Sequence, residues 1–380
     1  MVVRIPFLTA TWRYLLVSNY EVAPELLVPH LPLGTELDLF QGKALVSIVA
    51  FHFSKNKLFG IVPTVPVTQF EEVNLRFYVR RRVGDEVRRG VVFIKEVVPS
   101  TIIATTARWL YNEPYEARRM WHDMRNCGPT TGGRVAYGVE VDGNDTEISA
   151  RTEGPLRSLE TDSIESFILE HYWGYTPRGD GTTSEYEVQH EPWRFWRVAD
   201  LSVGEHLPTL YPVNLREFLQ GQPHSAFLAL GSPVSVYGYN RFRARYDTRA
   251  VPQGAREGWV LYDGLCGFCS WWVPKIQDRL ARAGFSIAPL QSAWVRETIA
   301  MPDSQRTSDI RLLLTDGTLV SGADAYIYCL KRMPYLRVFG MLLGLPGMRW
   351  LTWQVYRVVN HNRFLISRVC RLSPEKTDAK

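Results

Sequence analysis

The chain has 380 residues, 46% of them hydrophobic and 22% charged, with 44 Lys and Arg against 39 Asp and Glu. That length accommodates two or three domains with cores of their own, and the balance of apolar and charged residues excludes a long disordered or low-complexity protein. A net charge of +5 dispersed among acids argues against a dedicated nucleic-acid surface, and five cysteines at irregular spacing argue against a secreted disulfide framework.

After Arg4 the N-terminus has no uninterrupted apolar core and no small-residue cleavage site, so it does not read as a signal peptide and a cytoplasmic location is expected. Up to Tyr246 short alternating strands separated by turns predict a curved antiparallel sheet or barrel. The clearest strands are Ala44 to Phe53, Glu71 to Val79, Gly90 to Val97, Gly133 to Val141 and Asp145 to Glu153, with Asp142-Gly143 turning between the last two. Helical breaks are expected at Ala23 to Leu31 and Pro114 to Met124. Arg80, Arg81, Arg82, Arg88 and Arg89 flank Val83-Gly84-Asp85, which reads as a solvated hairpin turn rather than a phosphate patch. Along the second strand Glu72, Asn74, Arg76 and Tyr78 alternate with Val73, Leu75, Phe77 and Val79, so four polar groups share one face, toward either solvent or a cavity. Cys127, in Asn-Cys-Gly-Pro, reads as a turn residue.

The polar segment Asp247 to Arg256, with Pro252 and Gly254, marks a boundary. It separates a β-rich domain (1–246) from a domain at 258–371 across a linker (247–257), with a polar tail at 372–380. In the second domain a strand at Trp259 to Tyr262, a helix at Cys269 to Arg282 and a strand at Phe285 to Leu290 make one βαβ unit. Ile310 to Leu314 and Thr318 to Val320 flank the hairpin turn Asp316-Gly317, and a helix at Ala323 to Arg332 follows. Two more helices are expected at Tyr335 to Leu343 and Met348 to Val359. The apolar run Val338 to Met348 holds three glycines and Pro346 and is far shorter than the ~20 residues of a spanning helix. The fold class is therefore α+β.

Cys266-Gly-Phe-Cys269 leaves a strand and enters a helix. Free N–H groups and the positive dipole end there stabilise a thiolate on Cys266, the expected nucleophile at the exposed end. Cys269, one turn on, is placed to resolve a mixed disulfide. Trp272, Val273, Ile276 and Leu280 form the apolar face of that helix, Pro274 kinks it and Gly284 ends it. A zinc half-site and an inert buried pair stay open beside the redox reading, although Cys329, His361 and Cys370 lack zinc-ligand spacing. Cys329, among Tyr326, Ile327 and Leu330, reads as core.

The run Val260-Leu-Tyr-Asp-Gly-Leu-Cys-Gly-Phe-Cys269, then Ala288-Pro-Leu-Gln-Ser292, Gly322-Ala-Asp-Ala325, Tyr356 and Asn362-Arg363, resembles the DCC family of thiol-disulfide oxidoreductase-like proteins. The resemblance implies a thioredoxin-like fold, with Asp263, Cys266 and Cys269 as the named motif, Gly264 in its support and Asp324 as a second family position. Asp263 either accepts a proton or caps the turn. Thr307-Ser308-Asp309 stands where thioredoxin has the cis-proline that faces its dithiol.

Phe7-Leu-Thr-Ala-Thr-Trp12, Leu31-Pro-Leu-Gly34, Glu72-Val-Asn-Leu-Arg76, Phe167-Ile-Leu-Glu-His-Tyr172, His190-Glu-Pro-Trp193 and Ala226 to Val236 resemble the YqjF-like family of uncharacterised proteins. That family is grouped with the acetoacetate decarboxylase-like fold, which implies a cone-shaped β-barrel with a central cavity. In decarboxylases of this superfamily Gly-Arg-Glu-x-x-Gly-x-Pro-Lys carries the Schiff-base lysine. The similar stretch here, Ala107 to Tyr115, puts Tyr115 in its place. A phenol cannot form an iminium, so decarboxylation is not expected.

Lys95 is expected to snorkel to solvent. Glu72, Asn74, Arg76, Arg108, Tyr115 and His190 are the candidate pocket lining, with the two arginines as anion partners and His190 favoured as a structural hydrogen-bonder. The expected function is thiol-disulfide exchange with a protein or low-molecular-weight thiol, fused to a small-molecule binding domain. The alternative is a non-catalytic binding protein whose second module serves interaction. No cofactor, metal or nucleic acid is expected. A third reading, peripheral membrane contact, rests on Tyr335 to Val359 with Arg349, Trp350, Trp353 and Arg357.

Overall fold

Long runs of alternating β-branched and aromatic residues become long strands in the computed structural model, which describes residues 4–63, 69–126, 133–178, 180–246, 248, 251–299, 301 and 306–370. The chain divides into two units, residues 1–177 with 184–241, and residues 178–183 with 242–380. Cys127 and the polar tail lie outside the described residues, as does part of the linker. The architecture is mixed α+β.

In the first unit Leu8–Val22 (β1) pairs antiparallel with Ala44–Leu58 (β2), which pairs with Gln69–Val83 (β3), itself paired with Glu86–Val98 (β4). Beyond β4 the sheet continues through Trp173–Pro177 (β5), Thr182–His190 (β6) and Pro233–Val236 (β7), and β7 pairs with the start of β1. The later half of β1 carries a second arm through Ser225–Ala229, Phe195–Val203, Asn144–Arg157, Arg134–Val141 and Met120–Arg125. Asp142 and Gly143, with φ of 50° and 83°, form the two-residue turn expected between Arg134–Val141 and Asn144–Arg157. Leu15, Val17, Val49, Phe51, Tyr78 and Phe227 belong to one buried core.

The helix expected at Pro114 to Met124 is not there. Those residues form the strands Tyr115–Ala117 and Met120–Arg125, and the helix precedes them at Thr101–Tyr111 (α1). Ser100 caps α1 by accepting the Ile103 N–H, Asn112 closes it in the left-handed conformation, and Pro114 follows. The arginine hairpin is also less free than expected. Arg81 and Arg88 both bind the buried Glu185 at 2.6 and 2.7 Å, Arg89 binds Asp38 at 2.6 Å, and Arg80 binds Glu36 at 2.8 Å.

In the second unit Gly258–Tyr262 (β8) runs parallel to Phe285–Pro289 (β9) and antiparallel to Arg311–Leu314 (β10), which pairs with Leu319–Ser321 (β11). The order is β9-β8-β10-β11. The helix after β8 is Gly267–Lys275 (α2), broken at Ile276 before Gln277–Arg282 (α3). Pro274 has no N–H to give the preceding turn, which accounts for the break, and Gly284 at φ 93° ends α3. Three helices follow: Ala323–Arg332 (α4), Arg337–Leu343 (α5) and Pro346–Val369 (α6). α6 runs ten residues past its expected end at Val359. Val273, Leu280 and Ile276 pack into the core with Val260, Phe285 and Cys329. Trp272 does not, being 40% exposed.

Candidate functional sites

The first unit gathers three carboxylates in its interior. Register explains the meeting: Asn74 on β3 pairs with Glu96 on β4, and Glu96 pairs in turn with Tyr115. Glu72 lies two residues before Asn74 on the same face of β3, and Glu113 enters just after α1. Asn74 Nδ2 donates to Glu72 Oε1 at 2.9 Å and Tyr115 OH to Glu72 Oε2 at 3.4 Å. Tyr186 OH donates to Glu113 Oε1, which also accepts from Thr176 Oγ1 at 3.4 Å. Burial first, and mutual repulsion second, push Glu96 well above the usual carboxylate range. Burial, with the Glu113 charge as a lesser cause, raises Glu72 to about 7. Burial alone raises Glu113 to about 7 against its hydrogen bonds. Among the described residues Glu96 Oε2 and Asn74 Oδ1 are buried without a hydrogen-bond partner.

Of the two directions open to this face of β3, Glu72, Asn74 and Tyr78 take the interior, being 3%, 1% and 1% exposed. Arg76 is half-buried near His190. Arg108 stays outside: it is exposed, and its Nε donates to Ala104 O at 3.2 Å on its own helix. His190 stacks on Trp193 with ring centroids 3.9 Å apart, and its Nδ1 meets Glu191 O at 2.8 Å, a structural arrangement. Lys95 pairs with Glu116 at 2.5 Å, away from Glu96 by the strand alternation. Glu96, Glu113 and Tyr186 were absent from the expected lining. Glu113 lies in the stretch Ala107 to Tyr115, two residues before the position of the Schiff-base lysine in decarboxylases, and that proximity is the sequence signal for it.

In the second unit Cys266 is the N-cap of α2. Its pKa falls to about 6, chiefly through the hydrogen bond from the Cys269 thiol, opposed by burial and helped by the Cys269 N–H, the Arg363 charge and Ser367. Cys269 is pushed up by the same hydrogen bond, by burial and by the Cys266 charge. The exposure expected for Cys266 is corrected: it is 0% exposed. α6 accounts for this, since Phe268 N donates to Ser367 Oγ at 2.9 Å across the start of α2. Cys269 is the more exposed of the two residues, half-buried where Cys266 is fully buried. It lines a cavity of about 270 Å³ with Phe268, Trp272, Tyr326, Tyr356 and Arg363.

Asp263 caps the turn, accepting Leu265 N at 3.1 Å and Gln291 Nε2 at 2.9 Å on Oδ1, and its Oδ2 faces Arg363 Nη2 at 3.4 Å. Gly264 N donates to Gln291 Oε1 at 3.0 Å. Arg363 also donates to Thr307 O at 2.7 Å, while Tyr356 OH donates to Asp309 Oδ1 at 3.0 Å. The segment standing in place of thioredoxin's proline is therefore tied to α6. Asp324 holds Arg349 through both oxygens at 2.8 and 2.6 Å. Arg363 and Gln291, missed as site residues, were both inside the runs that carried the family resemblance. Cys329 is core, 7% exposed, its thiol raised to about 12 by burial. Among the described residues no group of three His, Cys, Asp or Glu side chains is placed to hold a metal ion.

Buried carboxylates in one unit and a helix-capping dithiol in the other define a two-unit α+β protein. The chain belongs to the DUF2071 family of uncharacterized conserved proteins, which matches residues 9–233. Residues 260–369 match the DCC1-like thiol-disulfide oxidoreductase family. The uncharacterized protein YqjF of Bacillus subtilis is 27% identical over 199 residues, spanning 51% of this chain and 77% of that protein. Among solved structures, acetoacetate decarboxylase from Legionella pneumophila is 13% identical, with a TM-score of 0.45 over 62% of this chain and 87% of that one. The enduracididine biosynthesis enzyme MppR, complexed with pyruvate, is 16% identical, with a TM-score of 0.44 over 63% and 91%. Among the described residues no helix is long and apolar enough to cross a membrane.

Proposed function

We propose that the second unit performs thiol-disulfide exchange with a low-molecular-weight thiol or disulfide that enters the cavity beside Cys269. The observation that carries this is the unequal pair of sulfurs. Cys266 is an acidic, covered thiol, and Cys269 is a hydrogen-bonded partner that reaches the cavity. The match to the DCC1-like family supports the reaction class. The strand order β9-β8-β10-β11, with a parallel first pair and an antiparallel hairpin, supports a thioredoxin-like fold.

In this scheme Cys266 accepts the Cys269 proton. The Cys269 thiolate attacks a disulfide RSSR, forming Cys269–S–SR and releasing RS⁻. The leaving RS⁻ takes up the proton that Cys266 had accepted and departs as RSH, and the restored Cys266 thiolate attacks Cys269 Sγ, forming the protein disulfide and releasing the second RS⁻. In reverse, a thiolate RS⁻ attacks Cys269 Sγ of the oxidised pair and Cys266 leaves, favoured by its low pKa. The roles are the opposite of those expected from the motif, because access and acidity reside on different sulfurs.

The ring of pairings from β1 through β7 and the buried carboxylates support a small-molecule binding role for the first unit, whose cluster offers protonated carboxyls and tyrosyl hydroxyls rather than an amine. The test of the redox reading is differential alkylation of the full chain across a glutathione series. A single two-thiol transition linking Cys266 and Cys269 is expected, with Cys266→Ser trapping glutathione on Cys269. Absence of that transition defeats the proposal and leaves the second unit as an interaction module.

A further inference from the structure

Sixteen of the twenty-seven large hydrophobic side chains exposed among the described residues fall between Tyr335 and Val369. α5 leaves Val338, Phe339, Met341 and Leu342 uncovered, and Leu345 and Met348 carry that apolar surface on to α6. Along α6 Trp353, Arg363 and Ser367 are the buried side. Leu351, Val358, Leu365 and Val369 recur at helical spacing on the opposite side, between 46% and 74% exposed. A continuous stripe of this kind differs from the scattered apolar residues of ordinary surfaces and marks a face that is covered in use.

Charge indicates the cover. From Asp324 to Glu375 the sequence holds no intervening carboxylate but seven arginines and one lysine. Arg332, Arg349 and Arg363 are committed to Glu257, Asp324 and Asp263. Arg337, Arg357 and Arg368 are exposed and have no ion-pair partner among the described residues. On α6 the latter two share an edge of the apolar stripe with Trp350, by their spacing.

We propose that α5 and α6 lie in the surface of an anionic lipid bilayer, with the apolar stripe among the upper acyl chains and Arg337, Arg357 and Arg368 at the headgroup phosphates. Self-pairing of this face is disfavoured, because a two-fold contact pairs the face with itself and α5 and α6 carry no carboxylate to meet its arginines. Among the described residues no helix is long and apolar enough to cross a membrane, and the attachment proposed is peripheral.

The test is co-sedimentation of the full-length protein with phosphatidylglycerol-rich vesicles and with neutral phosphatidylcholine vesicles. Preferential pelleting with the anionic vesicles, reduced by salt, is expected. Arg357→Glu with Arg368→Glu should weaken it by about fivefold or more per arginine, the equivalent of ~1 kcal/mol each. Val358→Ser with Leu365→Ser should weaken it while leaving the circular-dichroism melting curve unchanged. Quenching of wild-type tryptophan fluorescence by brominated lipid gives a readout independent of any variant. A wild-type protein that neither pellets nor is quenched overturns the proposal. So does a lipid-independent dimer, seen by light scattering, that Val358→Ser with Leu365→Ser dissolves.

Discussion

Arg363 holds Asp263, the carbonyl of Thr307 and the field around Cys266 at once. Arg363→Ala is expected to raise the Cys266 pKa by about one unit, since an opposite charge nearby favours the thiolate. The rise is measurable as a shift in the pH dependence of thiolate absorbance or of alkylation rate. An unchanged titration would assign the acidity to the sulfur pair and the helix end alone. In the other unit, Glu113 is an acid whose folded pKa, about 7, lies above the ordinary 4.5. Its contribution to stability is therefore complete below about 4.5 and is lost as pH rises through about 7. Glu113→Gln, which stays neutral, should flatten that slope and be worth on the order of 2 kcal/mol relative to wild type at pH 8 compared with pH 5. Chemical denaturation at the two pH values checks this, and parallel curves would show that Glu113 remains charged in the fold.

Between elements, α4 and α6 are locked at two points. Asp324, on the first turn of α4, binds Arg349 of α6, and Gly322 before α4 sits against Trp353 of α6 at φ 62° and ψ −138°. Asp324→Ala should cost about 2 kcal/mol by leaving Arg349 with only Asp180. Gly322→Ala should cost about as much or more, because its Cβ meets the Trp353 ring in a backbone region that alanine rarely adopts. Thermal melts of the two variants test both.

Elements with strict periodicity were legible in advance. The alternation of Glu71 to Val79 and the Asp142-Gly143 turn were readable because strand geometry imposes a period of two. Pro274 announced the break between α2 and α3. α1 was hidden because Thr101, Ile102, Ile103, Thr105 and Thr106 are β-branched and favour strands, and only Ser100 marked its start. The meeting of Glu72, Glu96 and Glu113 depends on strand register and on the entry point after α1, neither of which residue order reveals. Burial of Cys266 was equally hidden, since it depends on α6, almost a hundred residues away in the chain.

Among the described residues the hydrophobic core around Val17 and Phe227 and that around Val260 and Phe285 share no residue. Calorimetry of the full chain is therefore expected to resolve two transitions, with Glu113→Gln moving one and Gly322→Ala the other; a single transition shifted by both changes would show one cooperative block. The contact between Phe268 N and Ser367 Oγ has a further use. A backbone amide whose acceptor lies on a distant helix exchanges with deuterium only when that helix lifts. Phe268 is thus a built-in gauge of how often α6 uncovers the dithiol. Its exchange rate, followed in the reduced and oxidised protein, reads out the opening of the site without any probe being added.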